Sequence, residues 1–134
     1  MSHVVVDTSA LVAIVQGEPD AERFERALFE SKGDATITAA NLLEAMLVIE
    51  SRYPDTGTQD LRSLMEIFGI ITEPVGLDLV EIAFRAWKRF GKGRHPADLN
   101  YGDCFAYALS KQLNSPLLFK GDDFPQTDVV SALG

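Results

Sequence analysis

HVVVDTSALVA, residues 3–13, decides how the rest of the chain is read. Three successive valines without polar alternation mark Val4 to Val6 as a short buried strand. Asp7 follows at once, then Thr8, Ser9 and an apolar run to Val15 that reads as a helix. Working outward, helices are expected at Pro19 to Ser31, Asn41 to Arg52, Gln59 to Phe68, Asp78 to Phe90 and Tyr101 to Gln112. Strands are expected at Ala35 to Thr38, Ile70 to Val75 and Leu117 to Lys120, with a short edge strand at Asp128 to Val130. Helices that separate short apolar strands imply an α/β fold with a mainly parallel sheet covered on both faces. In such sheets ligands collect outside the carboxyl ends of the strands, which is where Asp7 falls.

Composition narrows the class. A chain of 134 residues, 46% hydrophobic, suits one domain over residues 1–134, burying roughly 68% of its unfolded surface. The longest apolar stretch, Ala10 to Val15, is far below the ~18 residues of a membrane span. No basic and then apolar leader precedes it, so a cytoplasmic protein is expected, and the lone Cys104 allows no internal disulfide. A net charge of −8 opposes indiscriminate attraction to nucleic acid, so an RNA partner needs a local basic patch or bridging cations.

Other acids occupy junctions like that of Asp7. Taken alone, Asp7 is equally a cap for the following helix. Glu44, in TAANLLEAM, lies on a helix with Leu42, Leu43, Met46 and Ile49 at core spacing, where an unpaired carboxylate is costly. Asp103, in LNYGDCFAYALS, stands three residues after the candidate cap Asn100 and has an ordinary use there, worth ~0.3–1 kcal/mol against the helix dipole. Asp122 and Asp123, in LLFKGDDFPQTD, follow a strand and a glycine, and suit a turn. Acids from four junctions at one sheet edge are the oxygen ligands Mg²⁺ or Mn²⁺ prefers, and such a centre activates water against a phosphodiester. Zinc is not expected, because Cys104, His3 and His95 have no ligand spacing. Without metal, clustered acids repel and their pKa values rise.

VVDTSAL, NLLEA, LNYGDCFAYALS and LLFKGDDFPQTDV, in that order and over nearly the whole chain, resemble the PIN-domain ribonucleases, and within them the VapC-type toxins of type II toxin–antitoxin systems. The resemblance implies a PIN-like three-layer α/β/α fold and a Mg²⁺-dependent endoribonuclease, with Mn²⁺ as the other candidate ion. It implies catalytic acids at Asp7, Glu44 and Asp103, with Asp7 and Asp103 at the metal-binding positions. A fourth acid comes from the GDDF segment; relatives that read Gly, a small polar residue, then DF favour Asp123, with Asp122 a substitute or a turn residue. Ser9 matches a small polar position that orients the first acid or a water, and Thr8 is the alternative. A cognate antitoxin and a homodimer are implied as partners.

The helix from Asp78 to Phe90 bears on the substrate independently. Leu79, Ala83, Ala86 and Phe90, with Val80 and Trp87 beside them, form its expected core stripe. Arg85, Lys88, Arg89 and Lys92 fall at i, i+3, i+4 and i+7, with Arg94 just beyond. Five of the 12 Lys and Arg residues therefore occupy ten positions, and no acid stands between Glu81 and Asp98. This is either a solvated face with cations favouring the helix end or a patch that tracks RNA phosphates toward the acids. Phe24, Leu28, Phe29, Ile67 and Phe68 are core candidates or a partner surface. The competing functions are a non-cleaving Mg²⁺-binding module, receiver-like with Asp7 and Lys120 or an inactive PIN-like domain, and a phosphatase. The receiver lacks its adjacent acid pair here, and the phosphatase lacks an acid at position 9.

Overall fold

In the computed structural model, which describes residues 3–134, the valine run is the buried strand β1 (Val4–Val6). The chain continues through α1 (Thr8–Val15), α2 (Ala21–Glu30), β2 (Ala35–Thr38), α3 (Ala39–Arg52) and α4 (Thr56–Ile67). It then forms β3 (Ile70–Glu73), α5 (Leu77–Phe90), α6 (Tyr101–Gln112) and β4 (Leu117–Leu118), and ends in a 3-10 turn at Phe124–Gln126. The four strands are parallel, in the order β3-β2-β1-β4.

This order places the site. The chain winds from β1 to β2 and β3 on one side, then returns to β4 on the other, so the winding direction reverses at β1, where a crevice opens at the strands' carboxyl ends. Asp7 is at that point, and its amide donates to the Leu118 carbonyl at 2.9 Å, joining the ends of β1 and β4. The alternation of side chains sorts the core into two layers. Val4, Val6, Ala35, Ile37, Ile70 and Leu118 pack beneath α1 to α4, whereas Val5 and Leu117 pack against α5 and α6. Each fully buried aliphatic side chain contributes about 1.5–3 kcal/mol, and a one-residue slip of β1 would reverse every valine, so its register is firmly set. Among the described residues no helix is long and apolar enough to cross a membrane.

Three expectations are corrected. Asp128 to Val130 is not a strand: two-residue β4 offers almost no ladder, and pairing is limited to a single bridge between Leu117 and Ser131, just beyond the segment. Asp128 is drawn instead to α6, accepting from the Tyr107 hydroxyl at 2.6 Å and the Lys111 ammonium at 3.1 Å. On α3 the buried line is Asn41, Ala45 and Ile49, while Leu43 faces solvent. On α5 Leu79, Ala83, Ala86 and Phe90 are buried as expected, but Val80 and Trp87 are 42% and 39% exposed. In both helices the covered stripe is narrower than the apolar one, leaving apolar residues at its margin uncovered. Smaller differences lie at element ends: α2 begins after Asp20, so Pro19 precedes the helix, and α4 starts at Thr56, where Asp55 turns the chain at φ 68°.

Candidate functional site

Asp7 takes up the capping role that its position suggested. It caps α1, with Oδ2 accepting from the Ser9 amide at 3.0 Å and from the Ser9 hydroxyl at 2.6 Å. Oδ1 is buried with no partner. A buried acceptor left unbonded normally costs about 1–3 kcal/mol, so its retention points to a ligand. Ser9 is itself fixed, since its oxygen accepts from the Lys120 amide at 2.9 Å, and it thereby ties the first acid to the end of β4. The Thr8 hydroxyl takes no part in holding the acid, since it donates to the Asn41 carbonyl at 2.9 Å, and Thr8 acts on Asp7 only through its backbone amide.

Asp103 also serves twice. It closes a capping box at the start of α6, accepting from the Asn100 amide at 3.1 Å while the Asn100 side chain accepts from its own amide at 2.9 Å. Desolvation pushes its carboxyl from 3.8 to about 7, helped by the charges of Asp7, Asp123 and Glu44 and opposed by the Asn100 amide. Burial is also the main cause at Asp7, pushed from 3.8 to about 6; the Ser9 bonds oppose the rise and the charge of Glu44 adds to it. Asp7, Glu44, Asp103 and Asp123 thus share one electrostatic site, the condition in which protons leave in coupled steps. Asp123 is solvent-facing at the start of the 3-10 turn. Asp122 is not among the charges acting on Asp103, and its carbonyl accepts from Gln126.

Glu44 reaches the cluster from α3 because residue 102 is glycine. A Cβ there would lie 2.5 and 2.6 Å from the two Glu44 carboxylate oxygens. Buried Asn41 locks the same junction: Nδ2 donates to the Gly102 carbonyl at 2.9 Å, and Oδ1 accepts from the Thr38 hydroxyl at 2.6 Å. Neither Asn41 nor Gly102 is a candidate on sequence grounds. The available signals were a glycine near the start of a helix, where it is intrinsically unfavourable, and an asparagine three residues after a threonine cap.

The donor set is all oxygen, with one spare buried atom and a glycine cradle, and it fits a hard divalent cation. Among the described residues no three His, Cys, Asp or Glu side chains form a ready-made cage. That suits an ion which keeps several waters and takes one or two carboxylates. His3 is bonded to Thr36 and His95 accepts from the Ala97 amide, so both imidazoles already have structural partners. Cys104 is buried and its thiol is pushed up to about 11, chiefly by burial. Lys120 is paired with Glu18 and Asp20.

The basic run divides into two groups. Arg85 and Arg89 border a hollow with Tyr107 and Lys111, and Arg89 pairs with Asp128 at 3.6 Å. Lys88 lies 5.7 Å from the Phe84 ring centre and Arg94 4.8 Å from that of Trp87, while Lys92 lines a neighbouring cleft. On the opposite layer Phe24 and Leu28 are buried, but Phe29 and Ile67 are 71% and 61% exposed.

Comparison with known proteins is consistent with this geometry. The PIN domain family pattern matches residues 4–130. Ribonuclease VapC30 of Mycobacterium tuberculosis is 45% identical over 128 residues, covering 96% of this chain and 97% of the relative. Ribonuclease VapC of Mycolicibacterium smegmatis is 46% identical over 128 residues, covering 96% and 98%. The crystal structure of M. tuberculosis VapC20, described as a sarcin-ricin loop cleaving toxin, superposes with a TM-score of 0.75 at 20% identity, covering 95% of this chain and 96% of that one.

Proposed function

The chain belongs to the PIN-domain family and, within it, to the VapC ribonucleases, and from that premise we propose that Asp7, Glu44, Asp103 and Asp123 form its catalytic acid centre. It is a ribonuclease and the toxin of a type II toxin–antitoxin system. The ion at the centre is Mg²⁺, with Mn²⁺ able to replace it, and Asp7 and Asp103 are its protein ligands. Supporting these roles is one observation above the others: the unpartnered Oδ1 of buried Asp7, in a cluster of mutually repelling carboxyls.

Bound there, a divalent cation supplies positive charge against the acids and the phosphate and makes water a competent nucleophile near neutral pH. Asp7 contributes Oδ1, and Ser9 keeps that oxygen aimed by holding Oδ2. Asp103 is oriented by its capping box, so the helix bond that stabilises α6 also fixes a ligand. Glu44, in the cradle at Gly102, accepts the proton of the attacking water, and Asp123 orients water from the solvent side. Lys88, Lys92 and Arg94 bring the RNA backbone toward the acids, with Arg85 and Arg89 extending the track.

The whole chain works as one domain in the cytoplasm, with a cognate antitoxin and a second copy of itself as partners. Exposed Phe29 and Ile67 favour a partner surface on α2 and α4. Incubation with end-labelled structured RNA tests the function: internal cleavage should need Mg²⁺ or Mn²⁺ and stop on adding EDTA. Acyl-phosphate formation without RNA cleavage would instead favour a receiver-like module.

A further inference from the structure

The sequence assigned Val80 and Trp87 to the core, yet both line an open cleft of about 490 Å³ between α5 and the start of α6. Phe84, Lys92, Asn100 and Tyr101 complete its rim. The exposed aromatics are ordered. Phe84 and Trp87 have ring centres 6.3 Å apart and planes within 19° of parallel, and Tyr101, 80% exposed, packs edge-on against Phe105 at 5.0 Å. Trp87 is seated by Gly91, where a Cβ would stand 2.5 Å from the indole Cδ1. Arg94 stacks on the indole and is anchored by donation from its Nε to the Lys88 carbonyl at 3.3 Å.

We propose that this cleft is a nucleobase pocket: it takes an unpaired base of the RNA strand by stacking on Trp87 and Phe84, while Lys88, Lys92 and Arg94 hold the flanking phosphates. The proposal rests on the ribonuclease function above and deepens it. Aromatic faces interleaved with cations are what single-stranded nucleic acid sites use, since every base has a stacking face and every linkage a negative charge. The cleft also adjoins the acids through one residue: Asn100 lines it and its amide holds the Asp103 carboxylate. A base seated there would set which linkage reaches the centre.

Trp87 is the only tryptophan, so its emission reports on this cleft alone. The protein is titrated in EDTA with a short single-stranded RNA and with a ribose-phosphate chain of equal length lacking bases. RNA should quench the emission and the base-free chain should not. With saturating Mg²⁺, Trp87→Leu and Phe84→Leu should each lower kcat/KM for that RNA about 5- to 150-fold, the effect of losing one base stack, while Trp87→Phe retains most activity. Melting temperatures of the variants establish that they remain folded. Two results would overturn the pocket: Trp87→Leu cleaving at the wild-type rate without quenching in the parent, or an emission that follows protein concentration and ignores RNA, which would assign the cleft to a second copy. Both leave metal-dependent cleavage intact. Failure of cleavage in the parent protein would instead strike the underlying function, with the quenching still measurable.

Discussion

Replacing Asp7 with asparagine is expected to abolish cleavage and, in the metal-free protein, to raise stability. The Asp7 carboxyl is buried with one oxygen unpartnered, and it is pushed from 3.8 to about 6, mainly by desolvation. The folded chain therefore binds this proton more tightly than the unfolded chain. Between about pH 4 and 6 the folded state carries the extra proton, so stability falls as pH rises through that window, and above it the full cost of the ionised carboxylate applies. At ~1.4 kcal/mol per tenfold change in proton affinity, that cost is about 3 kcal/mol. The asparagine amide is neutral and keeps an oxygen for the Ser9 amide, but loses charge-assisted capping of α1. The net gain for Asp7→Asn should be about 1–3 kcal/mol near pH 8, several degrees in Tm for a chain of this size. Near pH 4, where folded Asp7 is already protonated, the gain should vanish. Thermal melts in EDTA at both pH values measure it, and added Mg²⁺ should raise the Tm of the parent and leave the variant unmoved. A variant that melts lower than the parent near pH 8, or a gain that ignores pH, would refute the assignment of Asp7 as a strained, metal-neutralised ligand.

Other substitutions separate positioning from folding. Ser9→Ala removes the largest influence holding the Asp7 pKa down, so the rise of cleavage with pH at limiting Mg²⁺ should move to higher pH, read from a rate–pH profile. Gly102→Ala places a methyl against the Glu44 carboxylate, which must swing away; α6 gains up to ~1 kcal/mol of helix propensity while cleavage drops at least about tenfold, the expected scale for a displaced acid–base group. Asn41→Ala removes the donor that ties α3 to the Gly102 carbonyl and leaves the buried Thr38 hydroxyl without its acceptor, and should lower stability by about 1–3 kcal/mol in urea unfolding, with cleavage falling in step.

The fold was legible where local pattern and tertiary demand agree. β2 and α6 have the bounds expected from sequence, and β1 is the buried valine strand, because Thr38 and Asn100 are true caps and three valines have no solvent face. The clustering of the acids was legible for a different reason: each has an ordinary local use, but they fall at junctions along one edge of a parallel sheet, and Asp7, Glu44, Asp103 and Asp123 do share one electrostatic site. Apolar periodicity gives the direction of a helix face but not the width that the sheet covers, so Leu43, Val80 and Trp87 were assigned inward although solvent reaches them. The contribution of Asn41 was invisible because it joins residues 61 positions apart, and that of Gly102 because it consists of an absent side chain. The basic run divides because Arg89 is drawn to Asp128, on a segment whose path the sequence misread as a strand.

The central claim is that the cleaving power of this chain resides in a carboxylate-held divalent cation. Cleavage of one labelled RNA, followed against Mg²⁺ concentration for the parent and for Asp103→Asn, tests it most directly. The parent should show saturable, EDTA-reversible cleavage at internal linkages, and Asp103→Asn, folded by its melting curve, should fall by at least about a hundredfold, as expected when preorganised electrostatic stabilisation is lost. Undiminished cleavage by the folded Asp103→Asn protein, or by the parent in EDTA, would contradict it.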